Sequence, residues 1–457
     1  MTRFIALLAV LAACGKPSPR YNEPVTVAPP PVVVADAAAE PTSVVSARAL
    51  VASLVAGNYA EVVATFDATM SAALPEPKVK ATWQGLTAQV GAFVRVERAR
   101  TEDAPGHPIA ILTCTFERAE LDARVVYDDA GKVAGLQFTP ATSPYRDPPY
   151  VDRSTFDERD VTIGSGEWAL PGTLSLPKAK APVRAVVLVH GSGPSDRDET
   201  LGANKVFKDL AGGLASRGIA VLRYDKRTKV HGAKMAQNPD LTLEQETVED
   251  ALLAVELLRG MKEIDAAHVV VAGHSLGGFA APRIAVRSPH VAAIAILAGN
   301  TSNDVPAAMI SQMEYIARVD PSQAAAMPAM IEKIKAAQKR IAELQHGAKP
   351  APGEVVLGAG AAYWIDLAKY DAIATVKNVK QPIFVAQGGR DYQVTQTDFD
   401  AWKKALAARK DVAFHLYPEL NHALGAGTGP GSPAEYQKRT PVDARLVDDL
   451  AAWINGS

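Results

Sequence analysis

The sequence predicts an α/β protein: a mostly parallel, doubly wound sheet carrying a helical insert, preceded by a small α+β domain. Three observations lead there. From residue 151 to the end, short β-branched runs alternate with helical stretches, as in parallel strands joined by crossover helices. Over residues 46–140, helical periodicity comes first and strand-like runs follow. In "VVVAGHSLGGFAAPR", residues 269–283, an apolar strand turns sharply through Gly273-His274-Ser275-Leu276-Gly277 into a small-residue helix.

Composition frames these elements. The chain has 457 residues, 48% hydrophobic and 21% charged, which is ordinary for a globular protein and long enough for more than one domain. A formal charge of -2 supplies no electrostatic reason to expect a nucleic-acid partner. The start, "MTRFIALLAVLAAC", places one Arg before an apolar run too short to span a membrane once mature, so residues 1–13 are expected to be an export signal. Its end, Leu11-Ala12-Ala13-Cys14, resembles the bacterial lipoprotein signal box, which implies cleavage before Cys14 and its lipidation. That resemblance implies a membrane-anchored protein of the bacterial cell envelope, at the outer membrane because Gly15 rather than Asp follows the cysteine. A plain periplasmic or secreted protein is the alternative. Cys114, within the strand-like "IAILTCTFERA", reads as a small buried hydrophobe, and no Cys or His spacing suits a metal.

Residues 14–45 are rich in Pro, Ala and Val without a period and are expected to form an extended tether. In residues 46–140, "ARALVASLVAG", "YAEVVATFDATMSAAL" and "PKVKATWQGLTAQVGAF" read as helices. The runs "FVRVERAR", "IAILTCTFERAE", "LDARVVYDD" and "VAGLQFTP" read as strands, with a turn at Asp128 to Gly131. The stretch "LVAGNYAEVVATFDATM" followed by Trp83-Gln84-Gly85-Leu86 resembles an uncharacterised domain found ahead of bacterial secreted hydrolases. That resemblance implies an accessory domain with a fold like the nuclear transport factor 2 superfamily. A Pro-rich linker, residues 141–150, closes it.

From residue 151 to 457, "VRAVVLVHGSGP", "GIAVLRYDKR", "HVVVAGHS", "HVAAIAILAGN", "QPIFVAQGGRD" and "DVAFHLYPELNH" read as strands that each end in a polar or glycine-rich stretch. The helical "TLEQETVEDALLAVELLRGM" opens on a capping box at Thr242 and Gln245. Ligands bind such sheets at the carboxyl ends of their strands, where His190-Gly191, Asp225, Ser275, Asp391 and His422 fall.

A serine hydroxyl is a weak nucleophile at neutral pH and needs a base within hydrogen-bond reach, oriented by an acid. Asp391 follows the strand of "FVAQGGRDYQVT" directly, and His422 follows the last strand in "FHLYPELNHALG". Asp366, Asp371 and Asp398 compete for the acid role, but none follows a strand so closely. The blocks "HGSGPSDRDE", "YDKRT", "GHSLGG", "GGRDYQVT" and "LNHALG" resemble those of the α/β-hydrolase superfamily, specifically its bacterial secreted members. The resemblance implies the α/β-hydrolase fold, hydrolysis of small-molecule carboxylic esters, and no cofactor. Ser275 is then the nucleophile, His422 the base and Asp391 its orienting acid. The oxyanion calls for two donors, expected to be the backbone N–H of Leu276 and that of Ser192, with Gly193 the second choice.

Other polar residues near these positions read as structural. His190 is expected to shape its loop and His274 to be the variable residue of the elbow, while Asp196, Arg197, Asp198, Asp225 and Arg227 form a charged network between loops. The insert at about residues 300–379 carries amphipathic helices where a cap is expected. Its Met309, Met313, Met327, Met330, Tyr363 and Trp364 could line an apolar pocket or simply join cap to body. Two rival functions remain: an amide, peptide or thioester hydrolase using the same residues, and an inactive surface-binding lipoprotein. The second predicts a broken set of catalytic residues, and here the set is whole.

Overall fold

The computed structural model describes residues 40–456 apart from 105–106, 118, 142–144, 236–237 and 239. The expected signal segment, Cys14 and most of the tether lie outside the described residues. The described residues divide into two compact units, with the boundary after residue 144.

In the N-terminal unit, helices Thr42–Ala56, Tyr59–Ala64, Ala68–Ala73 and Glu76–Val90 precede an antiparallel sheet of β1 (Phe93–Ala104), β2 (His107–Phe116), β3 (Glu120–Tyr127) and β4 (Val133–Pro140), in that order. Each strand pairs with its successor because the connections are short. The turn between β3 and β4 closes at Gly131, whose φ of 75° suits a residue without Cβ. Ala110, Leu112, Cys114 and Phe116 alternate along β2 and join Leu50, Val51, Leu54 and Trp83 in one core. Trp83 packs its ring against Phe116 and Phe138. Burial pushes the Cys114 thiol up to about 11, so it is a packed, inert group. The first helix starts at Thr42 and buries Val44, so residues 42–45 belong to this unit and not to the expected tether.

The C-terminal unit is built on β5 (Phe156–Ile163), β6 (Leu170–Pro177), β7 (Val183–Val189), a small hairpin of β8 (Thr200–Leu201) and β9 (Asn204–Lys205), β10 (Ala220–Tyr224), β11 (Ile264–His274), β12 (Ala293–Leu297), β13 (Ile383–Gly388) and β14 (Val412–Tyr417). Eight of them form a sheet in the order β14-β13-β12-β11-β7-β10-β6-β5. Strands β7 and β10 to β14 run parallel, while β6 is antiparallel to both β10 and β5. Stretches such as 185–189, 269–272 and 293–297 are unbroken apolar runs because helices cover both faces of the sheet there. Val187, Val271, Ile294 and Val385 enter the core under helices Glu249–Arg259 and Leu276–Arg287. Val186, Val270, Ala295 and Phe384 enter the core under helices Val206–Ala215 and Ala444–Gly456.

Three sequence expectations need correction here. Strands β5 and β6 were not anticipated, because the β5 sequence "FDERDVTI" is buried only at its ends and shows no clean alternation. Residues 145–150 belong to the C-terminal unit and are not a free linker: the Tyr145 hydroxyl donates to Asp209 (2.9 Å) and the Tyr150 hydroxyl to the Val442 carbonyl (2.8 Å). The box at Thr242 and Gln245 is half formed, with the Thr242 N–H donating to Gln245 Oε1 (3.0 Å) while the Thr242 hydroxyl accepts from Glu244 N–H (3.2 Å). The turn that follows, Glu244–Val248, is π-helical before the α-helix begins.

Candidate active site

Ser275 stands where β11 meets the helix Leu276–Arg287, with φ 52° and ψ -115°, a conformation non-glycine residues rarely adopt. The surroundings hold it there: its N–H donates to the Leu297 carbonyl (2.9 Å) and its carbonyl accepts from Phe279 N–H (2.9 Å). A Cβ at Gly273 would lie 2.1 Å from the Gly277 oxygen, and one at Gly277 would lie 2.1 Å from the Val189 oxygen. Strand and helix can meet this closely only because both positions are glycine. Gly191, at the end of β7, sits beside the serine, since a Cβ there would be 3.2 Å from that of Ser275.

Asp391 lies in the loop after β13, and its Oδ1 accepts from the N–H groups of Gln393 (2.8 Å) and Val394 (3.0 Å). Its Oδ2 accepts from Gln387 Nε2 (3.2 Å) and meets His422 Nδ1 at 2.7 Å. Four donors on one enclosed carboxylate fix its position, and through it the orientation of the imidazole. His422 is in turn tied to the elbow. His274 Nε2 donates to the His422 carbonyl (2.8 Å), and the two rings are 4.7 Å apart. His274 immediately precedes Ser275, so the Asp391–His422 pair is fastened to the serine's own turn.

His274 therefore does more than fill a variable position. Its Nδ1 lies 3.0 Å from Glu199 Oε2, an ion contact between two side chains each under 4% exposed. Burial opposes charge on both. The Glu199 carboxylate nevertheless raises His274 above the ordinary imidazole value, and His274 lowers Glu199 below the ordinary carboxylate value. Glu199 Oε1 accepts from the Gly191 N–H (2.7 Å), which carries the linkage into the loop after β7.

That loop is clamped from the segment after β10. Lys226 Nζ donates to the Gly191 carbonyl (2.9 Å), Thr228 Oγ1 to the Gly193 carbonyl (3.2 Å), and the Lys226 N–H to the Ser195 carbonyl (3.1 Å). With Gly191 N–H occupied, the N–H groups of Ser192, Gly193 and Leu276 are among those near the elbow without a partner among the described residues. Glu199, Lys226 and Glu246, which accepts from Lys226 Nζ (2.6 Å), were not singled out in the sequence. Glu199 and Lys226 lie inside the blocks "HGSGPSDRDE" and "YDKRT", between neighbours read as a surface network, and that position was the available signal.

The remaining candidates find their partners locally. His190 Nε2 donates to the Asp196 carbonyl (3.0 Å), and burial pushes the ring down to about 4, leaving it neutral. Arg197 pairs with Asp225, Arg223 with Asp198, and Arg227 with Asp250, while Asp196 accepts from Thr200. The competing acids are engaged elsewhere: Asp366 with Arg283, Asp371 as cap of the helix Ala372–Val376, and Asp398 on Thr301. In the insert, Met309 and Met313 are partly exposed on the helix Val305–Val319 and Tyr363 is partly buried. Trp364, by contrast, is a core residue whose indole N–H donates to the Val356 carbonyl (3.0 Å).

Residues 186–431 match the model of the alpha/beta hydrolase family, and residues 47–136 match that of a protein family of unknown function, DUF3887. The chain belongs to the alpha/beta hydrolase family. Among its relatives, Esterase EstD of Thermotoga maritima is 39% identical over 374 residues, covering 81% of this chain and 85% of that one. Two solved structures are similar at lower identity. The esterase domain of a Rhodothermus marinus protein is 19% identical, covers 65% of this chain and 97% of its own, and has a TM-score of 0.39. Est1E from Butyrivibrio proteoclasticus is 16% identical, covers 65% and 99%, and has a TM-score of 0.42. In an alpha/beta hydrolase the acid and then the histidine follow the serine along the chain, the order of Asp391 and His422 here.

Proposed function

We propose that this alpha/beta hydrolase cleaves carboxylic esters through Ser275, His422 and Asp391. Family membership and the esterase relative support ester hydrolysis as the activity. The observation that carries the residue assignment is the enclosed Asp391–His422 contact fastened through His274 to the strained turn of Ser275. In this reading Ser275 Oγ attacks the acyl carbon as His422 takes its proton, and the imidazolium that forms is stabilised by Asp391. The tetrahedral oxygen is received by the N–H groups of Leu276 and Ser192, with Gly193 as the second choice for the latter. Its collapse expels the alcohol, which takes the proton from His422, and water activated by the same histidine releases the acid.

Met309, Met313 and Tyr363 are proposed to meet the substrate from the insert. We further place the chain at the bacterial cell envelope through a lipid on Cys14, and assign the N-terminal unit an accessory role with a nuclear transport factor 2-like fold. The test of the chemistry is hydrolysis of p-nitrophenyl esters from acetate to laurate by the chain and by Ser275→Ala, with fluorophosphonate labelling alongside. Turnover and labelling that both vanish in the variant are expected. Labelling that persists in Ser275→Ala would move the nucleophile elsewhere.

A further inference from the structure

The clamp on the loop after β7 contains a buried cation whose position bears on the oxyanion. Lys226 is 2% exposed, and its Nζ touches two acceptors, Gly191 O at 2.9 Å and Glu246 Oε1 at 2.6 Å. The Gly191 carbonyl belongs to the same peptide unit as the Ser192 N–H. In a trans peptide these two bonds point in opposite directions within one plane, so fixing the carbonyl fixes where the N–H aims. An ammonium on the carbonyl also polarises the peptide and makes its N–H a stronger donor, an effect enlarged in a dry interior.

We propose that Lys226 is a positioning residue for the reaction: its ammonium sets and polarises the Gly191–Ser192 peptide so that the Ser192 N–H receives the tetrahedral oxygen. The proposal rests on the ester-hydrolase reading above. A role limited to anchoring the loop is already filled, because Thr228 Oγ1 holds the Gly193 carbonyl and the Lys226 backbone holds that of Ser195. Burying an ammonium is costly without a counter-charge, and Glu246 supplies it. Glu246 is delivered by the π-helical turn Glu244–Val248, an irregularity that a regular helix gains nothing from and that recurs at functional positions. Its carboxylate also faces the hydroxyl of Tyr363, on the helix Ala361–Lys369 of the insert. The insert, Glu246, Lys226 and the oxyanion peptide therefore form one polar relay.

The experiment compares the full chain with a Lys226→Met, Glu246→Gln double variant, which removes both charges and strands neither. It reads kcat and KM for a p-nitrophenyl ester, and inhibition by a trifluoromethyl ketone, whose adduct with Ser275 places an oxyanion in the same hole. Deleting a whole donor costs about 10²–10³ in kcat, so weakening one should cost about 10- to 100-fold, with KM changed by less than about 3-fold. The ketone should lose affinity by the same factor as kcat/KM. An unchanged kcat, or a kcat loss without loss of ketone affinity, overturns the proposal. Should the double variant fail to fold, Lys226→Gln is read against the same two outcomes, since it keeps a donor but removes the charge. Failure of the underlying reading looks different: Ser275→Ala would stay active, and the ketone would not inhibit the unaltered chain.

Discussion

The two sheets of this chain bury polar groups in different ways. In the N-terminal unit, Thr113 and Asp122 are the buried polar residues among those described, and they satisfy each other directly (2.6 Å) with Arg100 closing on the carboxylate (2.9 Å). In the C-terminal unit, His190, Lys226, His274, Asp391 and His422 are buried within a few residues of the carboxyl ends of β7, β10, β11, β13 and β14. Glu199 and Glu246 are buried among them, from the loop after β7 and the π-helical turn. Burial of unpaired charge is unfavourable, so a fold concentrates it only where partners are assembled for it. One cross-strand knot is enough to hold a sheet. A set of charges gathered at one edge, each oriented by the next, is what acid–base chemistry requires.

That contrast can be broken most directly at Asp391. Asp391→Asn keeps the shape of the loop but deprives His422 of its anionic partner, and kcat for ester hydrolysis should fall about 10⁴-fold with little change in unfolding. A loss below about 10-fold would show that the Asp391–His422 contact is structural, like the knot in the N-terminal unit.

Glu199→Gln sharpens the comparison through stability, since it leaves His274 without its buried partner and should cost on the order of 3 kcal/mol near neutral pH. The pH dependence follows from the directions of the two shifts. His274 is more basic when folded, so its contribution is whole below the ordinary 6.5 and is lost as pH rises through the folded value. Glu199 is more acidic when folded, so its contribution is whole above the ordinary 4.5 and is lost as pH falls through the folded value. Denaturant unfolding followed across pH should therefore show a plateau between these limbs in the unaltered chain and a flatter profile in the variant. Equal profiles would mean the contact carries no ion pair.

The smallest effect is expected in the N-terminal unit. Thr113→Val removes one hydrogen bond to Asp122 while Arg100 remains, and should cost about 1 kcal/mol of stability. Turnover should not change. A drop in kcat would show that polar burial in this unit also serves the reaction.

Much of the site could be read along the chain because its local demands are strict. The corner at Ser275 requires glycine two residues to either side, and the central parallel strands must be apolar on both faces, so Gly273, Gly277 and the run Val269–Ala272 announce themselves. Asp391 and His422 were legible as polar residues placed directly after such strands. Strand β5 was not, since a half-exposed antiparallel edge imposes no such pattern on "FDERDVTI", and its buried partner β6 opens on Pro171-Gly172, which reads as a turn. Trp364 read equally as a pocket wall or as packing between cap and body, and it packs in the core, because an amphipathic helix shows that one face is covered without showing by what.

By itself, then, the sequence determined the strand-to-helix alternation, the strained serine corner and the order of serine, acid and histidine. Each follows from backbone sterics or from burial within a single element. Only the tertiary structure decided that Glu199 meets His274, that His274 holds the His422 backbone, and that Lys226 reaches the Gly191 peptide against Glu246. Those partners come from loops after different strands. A charged residue in a loop reads the same whether it faces water or a buried counter-charge, and the packing of the sheet ends settles which.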